Sequence, residues 1–447
     1  MRIAFIRPPS LPLGLAYIAA MLEQSHRVTI LDNYLENLSI EQLHKRISSV
    51  KPEIVGITSD SFSFTSAVEI ANAIKEVDKN IIIVMGGPHA NVFPNAPLMY
   101  DSIDISVFGE GELTAVELWD KIKNGESLED VQGIGWKDNN KIFINQPREL
   151  IKNLDDLPFP ARHLFPIDRY ERKMKQYLGN TEPIDWISSS RGCVFNCTFC
   201  DNREIFGNYR YRSPRNVVDE IEFLVSKNGI KGIYFRESLF TLNKKRVLGI
   251  CSELKSRGLD IVWACDSRVD TIDKDMLLSM KGAGCRTVWF GIESGCQDVL
   301  NNIHKGITIS QVKDTVKLSN ECGLKVGGSF MIGLPCESVD QMHETINFAC
   351  EIRPYLDFAW FTAYLGIPRS KLYLYSKENN LIDEDLGNGI FTIKTEEFDR
   401  ESMEKLMRYA HIKFEMNPYR IFNLLINKVS EFEIRNVIKR FKYMLER

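Results

Sequence analysis

Two runs of strand–helix alternation, parted by a proline-marked connector, constrain this chain more than any single residue. In the first 125 residues, apolar runs at Arg2–Ile6, Arg27–Leu31, Glu53–Thr58, Ile81–Met85 and Asp104–Phe108 alternate with helix-like stretches near Gly14–Gln24, Ile40–Val50, Thr65–Val77 and Gly111–Lys123. Five strands with helices between them predict an α/β fold, a Rossmann-like, doubly wound and mostly parallel sheet. Such sheets bind ligands at the carboxyl ends of their strands. The loops expected there are Pro8-Pro9, Thr58-Ser59, Gly86-Gly87-Pro88-His89 and Gly109-Glu110-Gly111-Glu112. A hairpin around Asp138-Asn139-Asn140 follows, then a connector running from Leu157-Pro158-Phe159-Pro160 through Pro166 to Pro183. Beyond it, strands are predicted at Asp185–Ser190, Gly232–Glu237, Ile261–Asp266, Thr287–Glu293, Val326–Ile332 and Asp357–Tyr364. Six strand–helix units with right-handed crossovers predict a barrel or partial barrel. The expected organisation is a first domain over 1–145, a linker over 146–183, a barrel over 184–370 and a mostly helical C-terminal region over 371–447.

Bulk properties narrow the class. Of the 447 residues, 44% are hydrophobic and 26% charged, ordinary for a soluble globular protein. A net charge of -4 implies no global attraction to nucleic acid or anionic membrane. No apolar run approaches a membrane span, and the N-terminus does not read as a signal peptide. The expected location is cytoplasmic. All ten cysteines fall between Cys193 and Cys350, which does not resemble a secreted disulfide framework. Seven are scattered singly and read as small buried apolar residues. Over Arg400–Arg447, 11 Lys and Arg stand against 6 Asp and Glu, a basic surface without a nucleic-acid motif.

The other three cysteines carry the chemistry. Arg191-Gly192-Cys193-Val194-Phe195-Asn196-Cys197-Thr198-Phe199-Cys200 follows the first barrel strand, at the end where barrel enzymes place their active sites. A C-x3-C-x2-C array presents three thiolates to one iron–sulfur cluster and leaves one iron without a protein ligand. Zinc normally requires a second Cys/His pair at a fixed spacing, and none is visible. Later strands end in further polar or glycine-rich groups: Arg236-Glu237, Ser267-Arg268, Glu293-Ser294-Gly295 and Gly333-Leu334-Pro335.

The array and these strand ends together resemble the radical SAM superfamily. That resemblance implies a partial (β/α)6 barrel whose [4Fe-4S] cluster, held by Cys193, Cys197 and Cys200, binds S-adenosyl-L-methionine (SAM). Reductive cleavage would give a 5'-deoxyadenosyl radical that abstracts hydrogen from an unreactive carbon. Phe199, Glu237, Arg268, Glu293, Ser294, Gly333 and Pro335 are the SAM-pocket residues it implies. Joined to the doubly wound domain, the pattern is similar to the cobalamin-binding class, through Leu13-Gly14-Leu15-Ala16-Tyr17, Asp32 and the two glycine loops. The implied cobalamin contacts are Leu13, Gly14, Thr58, Ser59, Gly86, Gly87, Pro88, His89, Gly109, Glu110, Gly111 and Glu112. Many cobalamin domains carry D-x-H-x-x-G with a cobalt-binding histidine; here Tyr34 stands in its place. The first loop, Pro8-Pro9-Ser10-Leu11-Pro12, is shorter than in relatives, and Pro368-Arg369-Ser370 departs from their proline-glycine-threonine run. The resemblance implies a C-methyltransferase using methylcobalamin. A cyclising, rearranging or oxidising radical enzyme is the alternative, and a non-catalytic corrinoid or redox sensor a third reading. A tRNA methylthiotransferase would carry extra N-terminal cysteines, which residues 1–192 lack. Expected partners are a small-molecule or peptide substrate, with Trp360, Phe361, Tyr364 and Arg369 near its site, and an electron donor such as flavodoxin or ferredoxin.

Overall fold

The computed structural model describes residues 2–6, 13–139, 141–166, 178–179 and 181–416. The short first loop and the basic segment beyond residue 416 lie outside the described residues. Seven strands form the first sheet: β1 (Arg2–Ile6), β2 (Arg27–Leu31), β3 (Ile54–Thr58), β4 (Ile82–Gly86), β5 (Ile105–Val107), β6 (Ile134–Asp138) and β7 (Lys141–Ile144), in the order β2-β1-β3-β4-β5-β6-β7. The first five are mutually parallel, and β6 and β7 add the predicted hairpin antiparallel at the edge of β5. Helices cover both faces. Leu13–Leu22 and Gly111–Asn124 bury Leu15, Ala19, Leu118 and Trp119 on one side; Ile40–Val50 and Phe64–Val77 bury Leu43, Ile47, Phe64 and Ile74 on the other. Burial on both faces explains why β3 reads as a continuous apolar run rather than an alternation. The strand order reverses at β1, which puts the ligand crevice of this sheet between the loops after β1 and β3.

The second sheet begins with β8 (Ile184–Ile187). A two-residue ladder follows, β9 (Ser190–Arg191) against β10 (Arg210–Tyr211). Then come β11 (Gly232–Phe235), β12 (Val262–Ser267), β13 (Cys285–Glu293), β14 (Lys325–Ile332) and β15 (Phe358–Ala363). Its order, β15-β14-β13-β12-β11-β8, is sequential and parallel throughout, the open six-stranded arc expected of a partial barrel. Each of the five outer helices starts behind a side-chain cap: Ser213, Asn243, Asp273, Thr308 and Ser338 each accept from the backbone three residues on.

The described part of the C-terminal region, residues 371–416, adds a hairpin to the expected helices. Between the helices Lys371–Glu378 and Arg400–Glu415 lies a hairpin, β16 (Ile382–Gly387) with β17 (Ile390–Ile393). Its turn, Gly387-Asn388-Gly389, has positive φ at all three residues (84°, 54° and 80°), a conformation that glycine and asparagine tolerate best. The turn reaches the first domain, where Asn388 Nδ2 donates to the Ser61 carbonyl at 2.9 Å.

Candidate functional site

The cysteine loop is fixed at its start by a glycine no other residue replaces. Gly192 has φ 79°, and a Cβ there would overlap the Asn208 carbonyl and lie 2.6 Å from that of Gly207. Cys193 N–H donates to Gly207 O at 3.2 Å, and Thr198 N–H to Ile303 O at 3.0 Å, so both ends of the loop are tied to the barrel rim. Cys193 and Cys197 are half-buried, Cys200 is exposed, and none is in a disulfide. Partial burial pushes the Cys197 thiol up. Metal ligation takes cysteine as the thiolate, so a bound cluster would offset this cost. Among the described residues no three His, Cys, Asp or Glu side chains converge on one ion. Three thiols on one loop, none in a disulfide, are the donor set that an iron–sulfur cluster takes.

One cavity of about 740 Å³ lies between the strand ends of the two sheets. The first domain lines it with Leu13 and Gly14 at a helix start, Thr58 after β3, Gly86, Gly87 and Pro88 after β4, and Gly109, Glu110, Gly111 and Glu112 after β5. These are ten of the twelve residues expected to face cobalamin. Gly87 shows why this wall is made of glycine. Its φ is 102°, and a Cβ would lie 2.6 Å from Ser59 O and 2.7 Å from Thr58 Oγ1. Ser59 and His89 do not line the cavity. Ser59 is fully buried, and the buried His89 ring stacks 3.9 Å from Phe64 while its Nδ1 meets Ser61 Oγ at 2.9 Å. Burial lowers the His89 pKa to about 4, so its imidazole is a neutral brace beneath the loop.

Glu110 and Glu112 line the cavity but turn their carboxylates to the other domain. Arg191, two residues before Cys193, gives Nη1 to Glu110 Oε1 at 2.8 Å and Nη2 to Glu112 Oε1 at 2.6 Å. Arg210 on β10 reaches Glu110 Oε2 at 2.9 Å. Burial alone would raise the Glu110 pKa, but the Arg210 hydrogen bond and the Arg191 charge outweigh it and leave it below its ordinary value. The glycine–glutamate motif thus latches the cysteine loop to the first domain. A second buried network ties the connector to the barrel. Arg162 pairs with Asp185 at 2.7 Å and Glu220 at 2.6 Å, and Arg212 also pairs with Glu220. Nothing in sequence order marks Arg191, Arg210 or Arg162 for these roles, because their partners stand 23 to 100 residues away.

The expected SAM-pocket residues divide into two groups. Three of them, Glu237, Arg268 and Ser294, are held in polar networks at the rim. Glu237 lines the cavity, and Ser189 N–H reaches its carboxylate at 2.8 Å, Ser189 Oγ at 2.9 Å and Arg246 at 3.1 Å. Arg268 forks onto Asp270 at 2.9 Å, donates to Lys305 O at 2.6 Å, and sits 3.7 Å from Cys197 Sγ and 3.6 Å above the Phe195 ring. Ser294 is fully buried against Thr345 at 2.8 Å. They brace the rim. The others shape the strand ends: Glu293, with φ 71°, pairs with Lys305 at 2.8 Å, whose ammonium lies 5.8 Å from the Phe199 ring. Gly333, with φ 77°, donates its N–H at 2.8 Å to the buried Glu337, and Pro335 follows in the same loop. Burial pushes the Glu337 carboxyl up to about 8. Trp360, Phe361, Tyr364 and Arg369 are not among the cavity's lining residues. Arg236, Ser238 and Asp266 at the ends of β11 and β12 are; the sequence points to Arg236 only as the neighbour of Glu237 at a strand end, and to Ser238 and Asp266 not at all.

Comparison with known proteins accords with this geometry. The family model of the radical SAM superfamily matches residues 187–349, and that of the B12 binding domain matches residues 4–119. An uncharacterised methyltransferase of Pyrococcus horikoshii is 38% identical over 437 residues, 96% of this chain and 92% of that protein. The anaerobic magnesium-protoporphyrin IX monomethyl ester cyclase of Rubrivivax gelatinosus is 29% identical over 371 residues, 81% of this chain and 65% of the cyclase. Among solved structures, the cobalamin-dependent S-adenosylmethionine radical enzyme OxsB superposes with a TM-score of 0.75 at 18% identity, covering 100% of this chain and 75% of its own. The chain belongs to the radical SAM superfamily, with a B12 binding domain ahead of its barrel.

Proposed function

We propose that this enzyme is a cobalamin-dependent radical SAM C-methyltransferase acting on an unactivated carbon. One observation carries the reading: a single cavity has the glycine-rich ligand wall of the first domain on one side and the root of the cysteine loop on the other. When bound, the cluster and SAM supply hydrogen abstraction from the substrate carbon, and cobalamin supplies the methyl group. The residues of the chain hold these groups in register, which is the protein's share of such chemistry. Cys193, Cys197 and Cys200 ligate the cluster. Phe199, Glu293, Gly333 and Pro335 form the SAM pocket over a rim braced by Glu237, Arg268 and Ser294. Leu13, Gly14, Thr58, Gly86, Gly87, Pro88, Gly109 and Gly111 face the corrin. The latch from Glu110 and Glu112 to Arg191 sets the distance between the two walls. Tyr34, where a cobalt-binding histidine would stand, offers no imidazole to the lower face. The enzyme works in the cytoplasm with a flavodoxin- or ferredoxin-type electron donor and no nucleic acid; no helix among the described residues is long and apolar enough to cross a membrane.

The test is anaerobic reconstitution with iron, sulfide and hydroxocobalamin, read by absorption spectrum and by bound cobalt and iron. The expected result is stoichiometric cobalamin in wild type and in Cys193→Ala/Cys197→Ala/Cys200→Ala, with cluster absorption lost only in the triple variant. Turnover should yield S-adenosylhomocysteine and 5'-deoxyadenosine alongside a methylated product. The cyclase relative favours one other reading, a ring-forming radical enzyme, which would give 5'-deoxyadenosine without S-adenosylhomocysteine.

A further inference from the structure

Six arginines around the cavity are paired with carboxylates, and a seventh that lines it is not. Arg162, Arg191, Arg210, Arg212, Arg246 and Arg268 each meet a carboxylate. Arg236, at the end of β11, is exposed, lines the cavity, and makes no side-chain hydrogen bond or ion pair among the described residues. Beside it, at the end of β12, Asp266 also lines the cavity. The Tyr234 hydroxyl donates to Asp266 Oδ1 at 2.6 Å, which fixes the carboxyl and leaves Oδ2 without a partner among the described residues. Ser238 continues the polar strip and is joined by Asn202, two residues past Cys200. The strip therefore lies on the strand next to β8, whose continuation carries the cysteines.

Resting on the function proposed above, the geometry points to Arg236 and Asp266 as the substrate anchor, specific for a small polar molecule carrying a carboxylate or phosphoryl group beside a hydroxyl or amide N–H. The Arg236 guanidinium, which acts on Asp266 through space but hydrogen-bonds no side chain among the described residues, offers a planar fork that matches such an anion with two parallel hydrogen bonds. Asp266 Oδ2, held by Tyr234, accepts from the neighbouring donor. On the opposite wall Thr58 and Gly86-Gly87-Pro88 are uncharged, and the Glu110 and Glu112 carboxylates are taken up by Arg191 and Arg210; among the described residues Asp60 is the one further carboxylate lining that side, and it leaves Arg236 as the cation facing the space. Anchored between the two, the substrate presents its carbon to the space both walls share.

The experiment uses the protein reconstituted with cluster and cobalamin, with SAM present and no reductant, so that nothing turns over. Calorimetric titration with sn-glycerol 3-phosphate, and with glycerol as the neutral counterpart, compares wild type with Arg236→Gln, Arg236→Lys and Asp266→Asn. The expected result is binding of the phosphate and not of glycerol. Arg236→Gln should weaken it about tenfold or more, and the other two variants less, because a charge-assisted hydrogen bond is being removed. Affinities for SAM and hydroxocobalamin should stay within about twofold in all variants, which also shows that they fold. Equal binding in Arg236→Gln, or no binding of the phosphate to wild type, overturns the assignment. Loss of SAM or cobalamin affinity in Arg236→Gln overturns it too, because the anion would then be the cofactor's own. If wild type takes up neither cluster nor cobalamin, the proposed function fails; if it takes up both and ignores the phosphate, only the anchor fails.

Discussion

The two walls of the cavity are built from opposite materials. The wall from the first domain, apart from Asp60 and the two carboxylates it turns to the barrel, is backbone and uncharged side chains, shaped by glycines at the ends of β4 and β5 and propped by a neutral, buried histidine. The barrel wall and its supports are charges: Arg191 and Arg210 latched to Glu110 and Glu112, Arg246 on Glu237, Arg268 on Asp270, and Arg162 with Arg212 on Glu220. A flat, bulky, amide-rimmed ligand needs close approach over a large area, which a glycine wall supplies. A reactive cluster and a small ligand need position, which buried ion pairs supply by orienting donors at fixed distances. The two walls should therefore fail in different ways.

The largest effect is expected on the charged side. Glu220 is fully buried between Arg162 and Arg212, which join the connector to the barrel. Glu220→Gln leaves the buried Arg212 without its ion-pair partner and Arg162 with Asp185 alone, at a cost of about 3–5 kcal/mol. The measurement is the shift in urea midpoint, with Val217→Ala on the same helix as a neutral control for lost packing. A Glu220→Gln loss under about 1 kcal/mol would mean the network is screened and the contrast between the walls is false.

Next is the pH response of the glycine wall. Burial holds the folded-state pKa of His89 at about 4. The unfolded chain takes up that proton near pH 6.5, so as pH falls from 6.5 to 4 the unfolded state binds more protons and stability falls, by about 3 kcal/mol in all. His89→Gln should flatten this window. The Glu110 pKa is lowered too, but for a carboxylate this means that the fold favours the charged form, so its share of stability is complete above about pH 4.5 and lost as pH falls below it. Acid should thus loosen the glycine wall before it loosens the latch. One merged transition that His89→Gln leaves unmoved would count against the assignment.

The fold was legible wherever the physics is local. Strand positions are read to within a few residues because β-branched and apolar runs bounded by turn residues have few alternatives, and Asn243, Asp273 and Ser338 mark helix starts by their own side chains. The hairpin Ile382–Ile393 was missed because Asp383-Glu384-Asp385 interrupts the first strand with charge, although Asn388-Gly389 is a strong hairpin turn. In the site, the cysteines and glycines were legible because their spacing is their chemistry. The charged partners were not. A Glu110 carboxylate that looks free for a corrin amide is committed to arginines 81 and 100 residues downstream, and no single sequence contains that pairing.

The latch tests this point directly. In Glu110→Gln/Glu112→Gln, Arg191 and Arg210 lose their anions, which should lower stability by about 2 kcal/mol. If the carboxylates served the corrin, hydroxocobalamin affinity would fall with them. The latch instead predicts cobalamin affinity within about twofold of wild type and faster loss of iron to a chelator, because the cysteine loop is no longer held at Arg191.

Gly87→Ala is the mirror image and the smallest in stability. An alanine there must adopt φ near 102° and set its Cβ 2.6 Å from Ser59 O, so the loop shifts rather than unfolds, at a cost of roughly 1–2 kcal/mol. The loop lies on the cavity side, and a shift of its backbone fills the space a flat ligand requires. Cobalamin affinity should fall at least about tenfold while cluster content and iron retention stay at the wild-type level. The two variants together form a double dissociation: one loses iron and keeps cobalamin, the other loses cobalamin and keeps iron. If either variant loses both, the walls are not independent structures facing a shared space but one cooperative unit, in which the latch transmits strain from the glycine loop to the cysteines.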